Sequence, residues 1–271
     1  MEHKFSRVLF FVLFLAFPVG TAFADEAKPF LPCRDKSGPC LFNFEEYKPI
    51  YAIFQDGSED PHDGLRQYIK FQISFKQNLG VEGLFFAYTQ KSFWSVTGDS
   101  MPFKDSNYNP EFFFAWMPDK ERMLHLGQAG VEHESNGRGE EYDKSGKPWQ
   151  ASRSWNRVYW EPKMTLGDFT VSLKGWAILA GIEDNKDVAD YYGNGELGAS
   201  YVTGRAQLAV KMRKGIKAEY GSFQTEFMYR PFNSNIGIYF QYWDGYGESL
   251  LDYNRRTSRY GIGLSISDLL P

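Results

Sequence analysis

Long apolar runs and clusters of basic residues are both missing from most of this 271-residue sequence. A membrane-spanning helix needs about 18 or more consecutive apolar residues, and no stretch after the first 24 residues reaches that length. The formal net charge of −4, without a lysine and arginine cluster, also gives no sign of nucleic-acid binding. Aromatic residues, in contrast, make up 18% of the chain, which favours β-structure and, for tyrosine and tryptophan, membrane–water interfaces.

The N-terminus has the layout of a secretory signal. Lys4 and Arg7 precede an apolar core over residues 8–20, and Ala22-Phe23-Ala24 forms a small-x-small cleavage site. A membrane anchor is the alternative, but the apolar run is short and the cleavage site is good. We therefore expect residues 1–24 to be a signal peptide that is removed on export.

Cysteine is scarce, with Cys33 and Cys40 as the two examples. In an exported protein such a close pair predicts a small disulfide loop. A metal site would need further ligands, and none stand near in the sequence. The predicted organisation is a periplasmic N-terminal segment over 25–46, containing this bridge, and a β-barrel domain over 47–271.

From about residue 47 the sequence alternates with period two. In 69–76, Ile69, Phe71, Ile73 and Phe75 fall on one face, and the residues between them are polar. Similar alternation recurs along the chain, which predicts half-buried antiparallel strands. The twelve predicted strands lie near 47–55, 67–77, 82–90, 111–118, 122–135, 153–162, 167–180, 195–203, 205–213, 218–230, 234–243 and 257–267.

Two all-β architectures fit this alternation. A soluble sandwich points its apolar side chains into a core, whereas an outer-membrane barrel points them at lipid and lines its interior with polar groups. Charged and amide side chains on the inner faces, aromatic residues near strand ends and the export signal favour the barrel. We expect a twelve-stranded antiparallel transmembrane β-barrel, because single-chain bacterial barrels have an even number of strands. Its predicted long loops are 91–110, 136–152, 181–194 and 244–256.

The strand phase gives meaning to a short polar motif, His133-Glu134-Ser135. If Glu132 and Glu134 line the barrel, His133 and Ser135 face lipid, and Asn156 shares that face on the next strand. Consecutive antiparallel strands are usually neighbours. The three side chains can therefore meet on the outer wall.

These residue types suit acyl-ester chemistry. A serine hydroxyl needs a base to become a nucleophile, and the base needs a partner that fixes its tautomer. At membrane height the esters within reach belong to lipids. The Ser152 hydroxyl and the Arg138 carbonyl are hard oxygen groups of the kind that bind Ca²⁺, and Glu140, Glu141 and Asp143 lie nearby in a loop that is otherwise typical of solvated surface.

At this point the sequence resembles the outer-membrane phospholipase A family of Gram-negative bacteria. The resemblance runs in family order from about residue 47 to the C-terminus. It rests on five stretches: 88–94 (YTQKSFW), 102–110 (PFKDSNYNP), 133–138 (HESNGR), 152–157 (SRSWNR) and 246–254 (YGESLLDYN).

The resemblance implies a twelve-stranded barrel that hydrolyses sn-1 and sn-2 acyl esters of phospholipids and lysophospholipids as a calcium-dependent homodimer. Ser135 would be the nucleophile, His133 the base and Asn156 the group that orients His133. Ca²⁺ would be held by the Arg138 carbonyl, by Ser152 and by Ser100 of the partner subunit. Gln90 would pair across the dimer interface, where an amide exposed to lipid finds a partner.

Two features depart from the family pattern. The loop between Arg138 and Ser152 is longer than in the family, and Glu134 stands where the family commonly has glutamine. The competing function classes are an inert structural barrel or channel, and an acyltransferase that uses the same acyl-enzyme. A narrow lumen filled by paired charges, among them Lys70, Lys174 and Glu132, argues against the channel.

Overall fold

The computed structural model describes residues 44–59, 66–97, 101–116, 123–142, 145–232 and 234–266. These ranges form fifteen strands and one short helix. In chain order the strands are β1 (Phe44–Glu46), β2 (Ile50–Gly57), β3 (Tyr68–Asn78), β4 (Leu84–Ser95), β5 (Phe103–Ala115), β6 (Leu124–Ser135), β7 (Glu140–Tyr142), β8 (Pro148–Gln150), β9 (Ser154–Leu166), β10 (Phe169–Ala180), β11 (Gly195–Thr203), β12 (Ala206–Lys214), β13 (Gly221–Tyr229), β14 (Ile236–Tyr246) and β15 (Arg256–Ile266). The helix is α1 (Val188–Tyr192).

Twelve of the strands close into an antiparallel barrel, as the sequence predicts. Each pairs with its neighbours in chain order, from β2 to β15 with β7 and β8 left out, and β15 pairs back onto β2. Closure leaves no free edge, which a sheet in hydrocarbon requires. β1 pairs with β3 beyond the end of β2, and β7 pairs with β8 as a separate hairpin. None of the helices in the described ranges is long and apolar enough to cross a membrane.

The two ends of the barrel differ. At one end, called the turn end, adjacent strands are joined by short connections such as 167–168 and 204–205. At the other, called the loop end, lie longer connections, including 136–153, 181–194 and 247–255. In bacterial barrels the short turns are periplasmic and the longer loops extracellular. We therefore expect the loop end to be the extracellular end.

The predicted loop 91–110 is wrong over most of its length. β4 continues to Ser95, and β5 begins at Phe103. Polar residues and an Asn-Pro pair made this stretch look like a loop. Asp105 and Asn107 are instead buried inside the barrel, and the adjoining strand partners satisfy the backbone around them.

The predicted inside-out alternation is confirmed. In β3, Lys70 and Ser74 are buried in the interior while Ile73 is 47% exposed on the outer wall. Opposite charges fill the lumen: Lys174 Nζ lies 2.8 Å from Glu132 Oε2, and Arg157 is in direct contact with the other oxygen of Glu132. Arg230 follows the end of β13 at the turn end.

Side chains of the described residues enter the lumen at both ends. At the turn end Tyr47 and Lys48 enter the barrel, each 3.1 Å from Glu111. At the loop end a buried aromatic and aliphatic cluster joins β9 and β10 to the loops 181–194 and 247–255; its members include Trp155, Trp176, Val188, Tyr192, Leu250 and Tyr253. Between these two sets of side chains lies a polar cavity of about 300 Å³. The cluster holds together the loop-end rim on which the His133-Glu134-Ser135 motif stands.

Glu248 fastens the loop 247–255 to the lumen. Its carboxylate lies 2.9 Å from Lys70 Nζ and 3.5 Å from Arg259 Nε, and it accepts a 2.5 Å hydrogen bond from Gln55. Burial alone would raise the pKa of Glu248, but the two cations and these hydrogen bonds hold it below the ordinary value of 4.5. The carboxylate is therefore charged at neutral pH.

Replacing this carboxylate tests how far the lumen depends on it. Glu248→Gln leaves two buried cations without their counter-charge, and removing one partner of a buried pair costs about 3–5 kcal/mol. We expect the free energy of unfolding at pH 7, measured by denaturant titration in lipid vesicles, to fall by that amount. Because the pKa of Glu248 is depressed in the folded barrel, the difference from wild type should vanish as the pH falls below 4.5.

Glu219→Gln in the exposed loop 215–220 is the control. Equal losses in the two variants at pH 7 would contradict the proposed anchoring by Glu248.

Candidate active site

The polar motif lies on the outer wall, near the extracellular end of the β6–β9 pair. His133 pairs with Asn156 and Ser135 with Ser154 in the register of the two strands. On the same face Val131 is 48% exposed and Val158 41% exposed. The predicted placement of His133, Ser135 and Asn156 on the lipid-facing side is thus what the structure shows.

His133 and Asn156 are directly hydrogen-bonded. His133 Nδ1 lies 2.9 Å from Asn156 Oδ1, and Asn156 Nδ2 donates to the Ala180 carbonyl at 3.3 Å. The second contact fixes which end of the amide faces the imidazole, because only the NH₂ group can donate to a carbonyl. Nδ1 therefore carries the proton, and Nε2 is the nitrogen left to accept one.

Ser135 follows at the last position of β6, beside Tyr108 on β5. Its hydroxyl is half-buried and forms no hydrogen bond within the part of the chain that the structure describes. Catalytic hydrogen bonds are often long in the absence of substrate and tighten only in the complex. The structure thus places His133 and Ser135 on one face, two residues apart, without a direct bond between them.

Gly181 leaves space for the Asn156 side chain. Gly181 has φ +82°, and a Cβ built there would lie 2.6 Å from Asn156 Nδ2. That separation is too short for any larger residue unless the amide moves. The backbone after β10 therefore approaches the Asn156 side chain in a way that only glycine permits.

The two predicted calcium ligands that lie in described residues are both in the loop 136–153. Its two legs are the segment that leaves β6 and the segment that enters β9. Arg138 lies on the leg leaving β6 and Ser152 on the leg entering β9. The legs are joined by backbone bonds from Asn136 N to the Arg153 carbonyl and from Ala151 N to the Gly139 carbonyl, both 3.0 Å. Arg138 and Ser152 therefore face each other across a ladder that is fixed on both sides.

Asn136, which lies outside the predicted site residues, holds these two segments together. It is 3% exposed. Its Nδ2 donates to the Ala151 carbonyl at 2.9 Å, and its Oδ1 accepts from Arg153 N at 2.9 Å. The sequence signal was an asparagine directly before Gly137, a dipeptide that marks turns, but nothing in the sequence shows its burial.

The donor set suits a hard divalent cation. The Arg138 carbonyl and the Ser152 hydroxyl accept no hydrogen bond from any described residue, so their lone pairs are available for Ca²⁺. No group of three or more histidine, cysteine or acidic side chains among the described residues is arranged to bind a metal. Ser100 and Asp143 lie outside the described residues, as do Cys33 and Cys40.

The acidic residues of this loop have different surroundings. Glu140 is exposed, whereas Glu141 forms an ion pair with Arg138 at 2.5 Å. The loop itself is a hairpin of β7 and β8. Nothing in the sequence identified the Glu141–Arg138 pair.

Gln90 lies on the outer wall of β4 with two partners in its own chain. Tyr88 Oη donates to Gln90 Oε1 at 3.0 Å, and Gln90 Nε2 donates to Ser92 Oγ at 3.1 Å. These contacts lower the cost of an amide facing hydrocarbon. The part of Gln90 in a dimer interface stays a prediction.

The comparisons with known proteins agree with the geometry. A family model described as Phospholipase A1 matches residues 39–266. The chain belongs to the phospholipase A1 family. The predicted resemblance is therefore confirmed. The protein is a closed barrel of the Gram-negative outer membrane.

Curated relatives cover most of the chain. The phospholipase A1 of Escherichia coli is 31% identical over 249 residues, which are 84% of this chain and 83% of the relative. The phospholipase A1 of Proteus vulgaris is 34% identical over 249 residues, with the same coverage.

Solved structures of phospholipase A share the fold. The outer membrane phospholipase A of E. coli matches with a TM-score of 0.74 and 30% identity, covering 84% of this chain and 100% of that one. A Salmonella typhi outer membrane phospholipase, solved as a dimer with bound calcium, matches with a TM-score of 0.72 and 29% identity. It covers 84% of this chain and 94% of its own.

Proposed function

We propose that this phospholipase A1 family member is a calcium-dependent phospholipase that hydrolyses sn-1 and sn-2 acyl esters of phospholipids and lysophospholipids. The observation that carries the proposal is the 2.9 Å bond between His133 Nδ1 and Asn156 Oδ1 on the lipid-facing wall. An oriented imidazole at this height has lipid esters within reach and is separated from soluble substrates by the bilayer.

Ser135 is the nucleophile of the proposed reaction. His133 Nε2 removes the hydroxyl proton as Ser135 Oγ attacks the ester carbonyl, and a tetrahedral intermediate forms. Collapse of the intermediate breaks the bond to the glycerol oxygen, which receives the proton from Nε2. The acyl group stays on Ser135 until a water molecule, activated by the same imidazole, releases the fatty acid.

Asn156 is a positioning residue in this scheme. Its carbonyl oxygen accepts the Nδ1 proton and keeps the imidazole in the tautomer that leaves Nε2 free. An amide brings no negative charge, so it stabilises the imidazolium less than a carboxylate does. Support for an asparagine here comes from a solved variant of the E. coli relative, which is described as an active-site mutant with asparagine replaced by alanine.

Calcium would be held by the Arg138 carbonyl, Ser152 Oγ and Ser100 of the partner subunit. When bound, the ion supplies positive charge that stabilises the oxyanion of the intermediate. The facing legs of the loop 136–153 support this assignment for the two residues of one chain. The calcium-containing dimer from S. typhi supports it from a relative.

A homodimer follows from the shared ion site, because one subunit alone supplies only part of the ligand set. The proposed dimer forms through the outer wall of β4 and β5, where Gln90 presents its amide beside Tyr88 and Ser92. Calcium bound between subunits would then couple dimer formation to activity.

The lumen gives no support to a channel. Ion pairs cross it at Glu132, and described side chains enter it at both ends. An acyltransferase would share the first half of the reaction and differ only in the acceptor of the acyl group.

The direct test is Ser135→Ala, assayed for fatty acid release from phospholipid micelles. We expect at least a ~10³-fold loss, because a nucleophile cannot be replaced by its neighbours, with the folded barrel retained. Ser265→Ala is the matched control: this serine of β15 is buried away from the site, and its hydroxyl has no partner among the described residues. Hydrolysis by Ser135→Ala at the wild-type rate would contradict the assignment.

Running both proteins with calcium and with excess EGTA tests the metal in the same experiment. The wild type should lose activity on chelation and regain it when calcium is restored. Full activity in EGTA would contradict the calcium site and leave the role of Ser135 standing.

The crowding at Gly181 gives a second test. In Gly181→Ala the new Cβ should displace the Asn156 amide, and misplacement by about 1 Å can cost roughly 100-fold in rate. We expect kcat to fall with little change in KM, since the substrate does not contact this glycine in the proposed scheme. Gly80→Ala, in the turn between β3 and β4, is the control, because Gly80 has almost the same positive φ, +81°, but nothing lies within 4 Å of its added Cβ. Equal activities of the two variants would contradict a role for the Asn156 orientation.

A further inference from the structure

The loop 136–153 contains a small hairpin with two distinct faces. β7 and β8 pair with Glu141 opposite Trp149, and both of these side chains are partly buried. Glu140, Tyr142 and Gln150 alternate with them and are exposed. The hairpin continues directly from the two legs that carry Arg138 and Ser152, so its position governs theirs.

Arg138 is held by every nitrogen of its guanidinium. Nε and Nη2 donate to the two carboxylate oxygens of Glu141 at 2.6 and 2.5 Å, and Nη1 donates to the Lys104 carbonyl at 2.5 Å. This planar two-bond fork is the strongest geometry available to an arginine–carboxylate pair. The side chain thus joins the hairpin to β5 on the far side of the loop.

The bond to Lys104 extends the connection to a third element. Lys104 Nζ lies 2.5 Å from Asp252 Oδ2 in the loop 247–255. Lys104 and Asp252 are nearly buried, with side chains 10% and 6% exposed. The guanidinium is therefore fastened to β5 and, through Lys104, to the loop 247–255, and not only to a neighbouring residue of its own loop.

From this geometry we propose that the β7–β8 hairpin is a latch on the calcium site, with Glu141 as its positioning residue. The latch rests on the proposed function, in which the Arg138 carbonyl is a calcium ligand. Glu141 fixes the conformation of Arg138 and neutralises the arginine charge. An unpaired guanidinium next to the ion would repel it, so both effects raise the affinity for Ca²⁺.

If Glu141 served only to stabilise the fold, its loss would lower the stability of the protein and not specifically its calcium affinity. The Glu141 and Arg138 side chains are 33% and 25% exposed, and ion pairs that are partly open to water add little to overall stability. Direct ligation by Glu141 is a second competing account. Both carboxylate oxygens are already bonded to Arg138, so ligation would require breaking the fork.

The test is calcium binding by equilibrium dialysis on purified, micelle-bound full-length protein, with the wild type, Glu141→Gln and the control Glu140→Gln. Residues that orient the ligands of a metal typically contribute about 10- to 100-fold to its affinity. We expect Glu141→Gln to bind calcium about 10- to 100-fold more weakly. Glu140→Gln removes an equal charge from the exposed face of the same hairpin and should change affinity less than about threefold, an allowance for screened surface charge.

A second variant separates charge neutralisation from ligation. Removing the guanidinium in Arg138→Ala keeps the main-chain carbonyl. If Glu141 acts through Arg138, the pair Arg138→Ala and Glu141→Gln should be coupled, so that the double variant binds calcium no more weakly than Arg138→Ala alone. Independent, multiplying losses would show direct ligation and overturn the latch.

The remaining outcomes are also decisive. Equal affinities for Glu141→Gln and Glu140→Gln, with a calcium-binding wild type, would overturn the latch and leave the proposed function intact. A wild type that binds no calcium would contradict the calcium site itself, and the latch with it. The unfolding midpoints of the wild type, Glu141→Gln and Glu140→Gln should agree. A large drop in the midpoint of Glu141→Gln alone would assign Glu141 a structural role and overturn the proposal.

Discussion

Backbone pairing in hydrocarbon is the constraint on which the rest of this structure depends. A sheet in a bilayer must bond all of its N–H and C=O groups internally, so the strands close on themselves and each side chain faces either lipid or lumen. A slip of one residue in register would exchange the two faces. The alignment of His133 with Asn156 between β6 and β9 is therefore a product of closure. The site stands on the outer wall because the strand phase leaves no other place for it.

Ion pairs on the lumen side of β6 and β9 stabilise that register. The residue pair next to His133 and Asn156 is Glu132 with Arg157, which points inward and is closed by an ion pair. Glu134 also faces inward, where it accepts a 2.9 Å hydrogen bond from Trp155 Nε1 and contacts Arg157. Alternate residues of the same two strands thus serve two functions. The inner set holds the strands together, and the outer set is free to carry polar groups that hydrocarbon would otherwise disfavour.

Period-two alternation was enough to predict the closed barrel, its twelve strands and the outward phase of His133, Ser135 and Asn156. The prediction failed at β5. Asp105 and Asn107 are polar because they line the lumen, whereas in the sequence they look like residues of a solvent-exposed loop. Composition does not distinguish a polar lumen from a polar loop. The alternation also gave no sign of Asn136 or of the Glu141–Arg138 fork. These contacts depend on how a loop folds back on itself, for which no periodicity exists. The division of the chain into residues 1–24, 25–46 and 47–271 stays a prediction, since most of the first two segments lies outside the described residues.

The central claim is that a nucleophilic serine faces lipid on the outside of the barrel. The most direct measurement is labelling by a long-chain alkyl sulfonyl fluoride, which reacts much faster with a serine activated by a neighbouring base than with an ordinary serine, followed by peptide mass spectrometry. In calcium, the account predicts a single adduct on the peptide that contains Ser135, with loss of hydrolysis in proportion to labelling. Complete inactivation with the adduct on any other serine, while Ser135 stays unmodified, would contradict it.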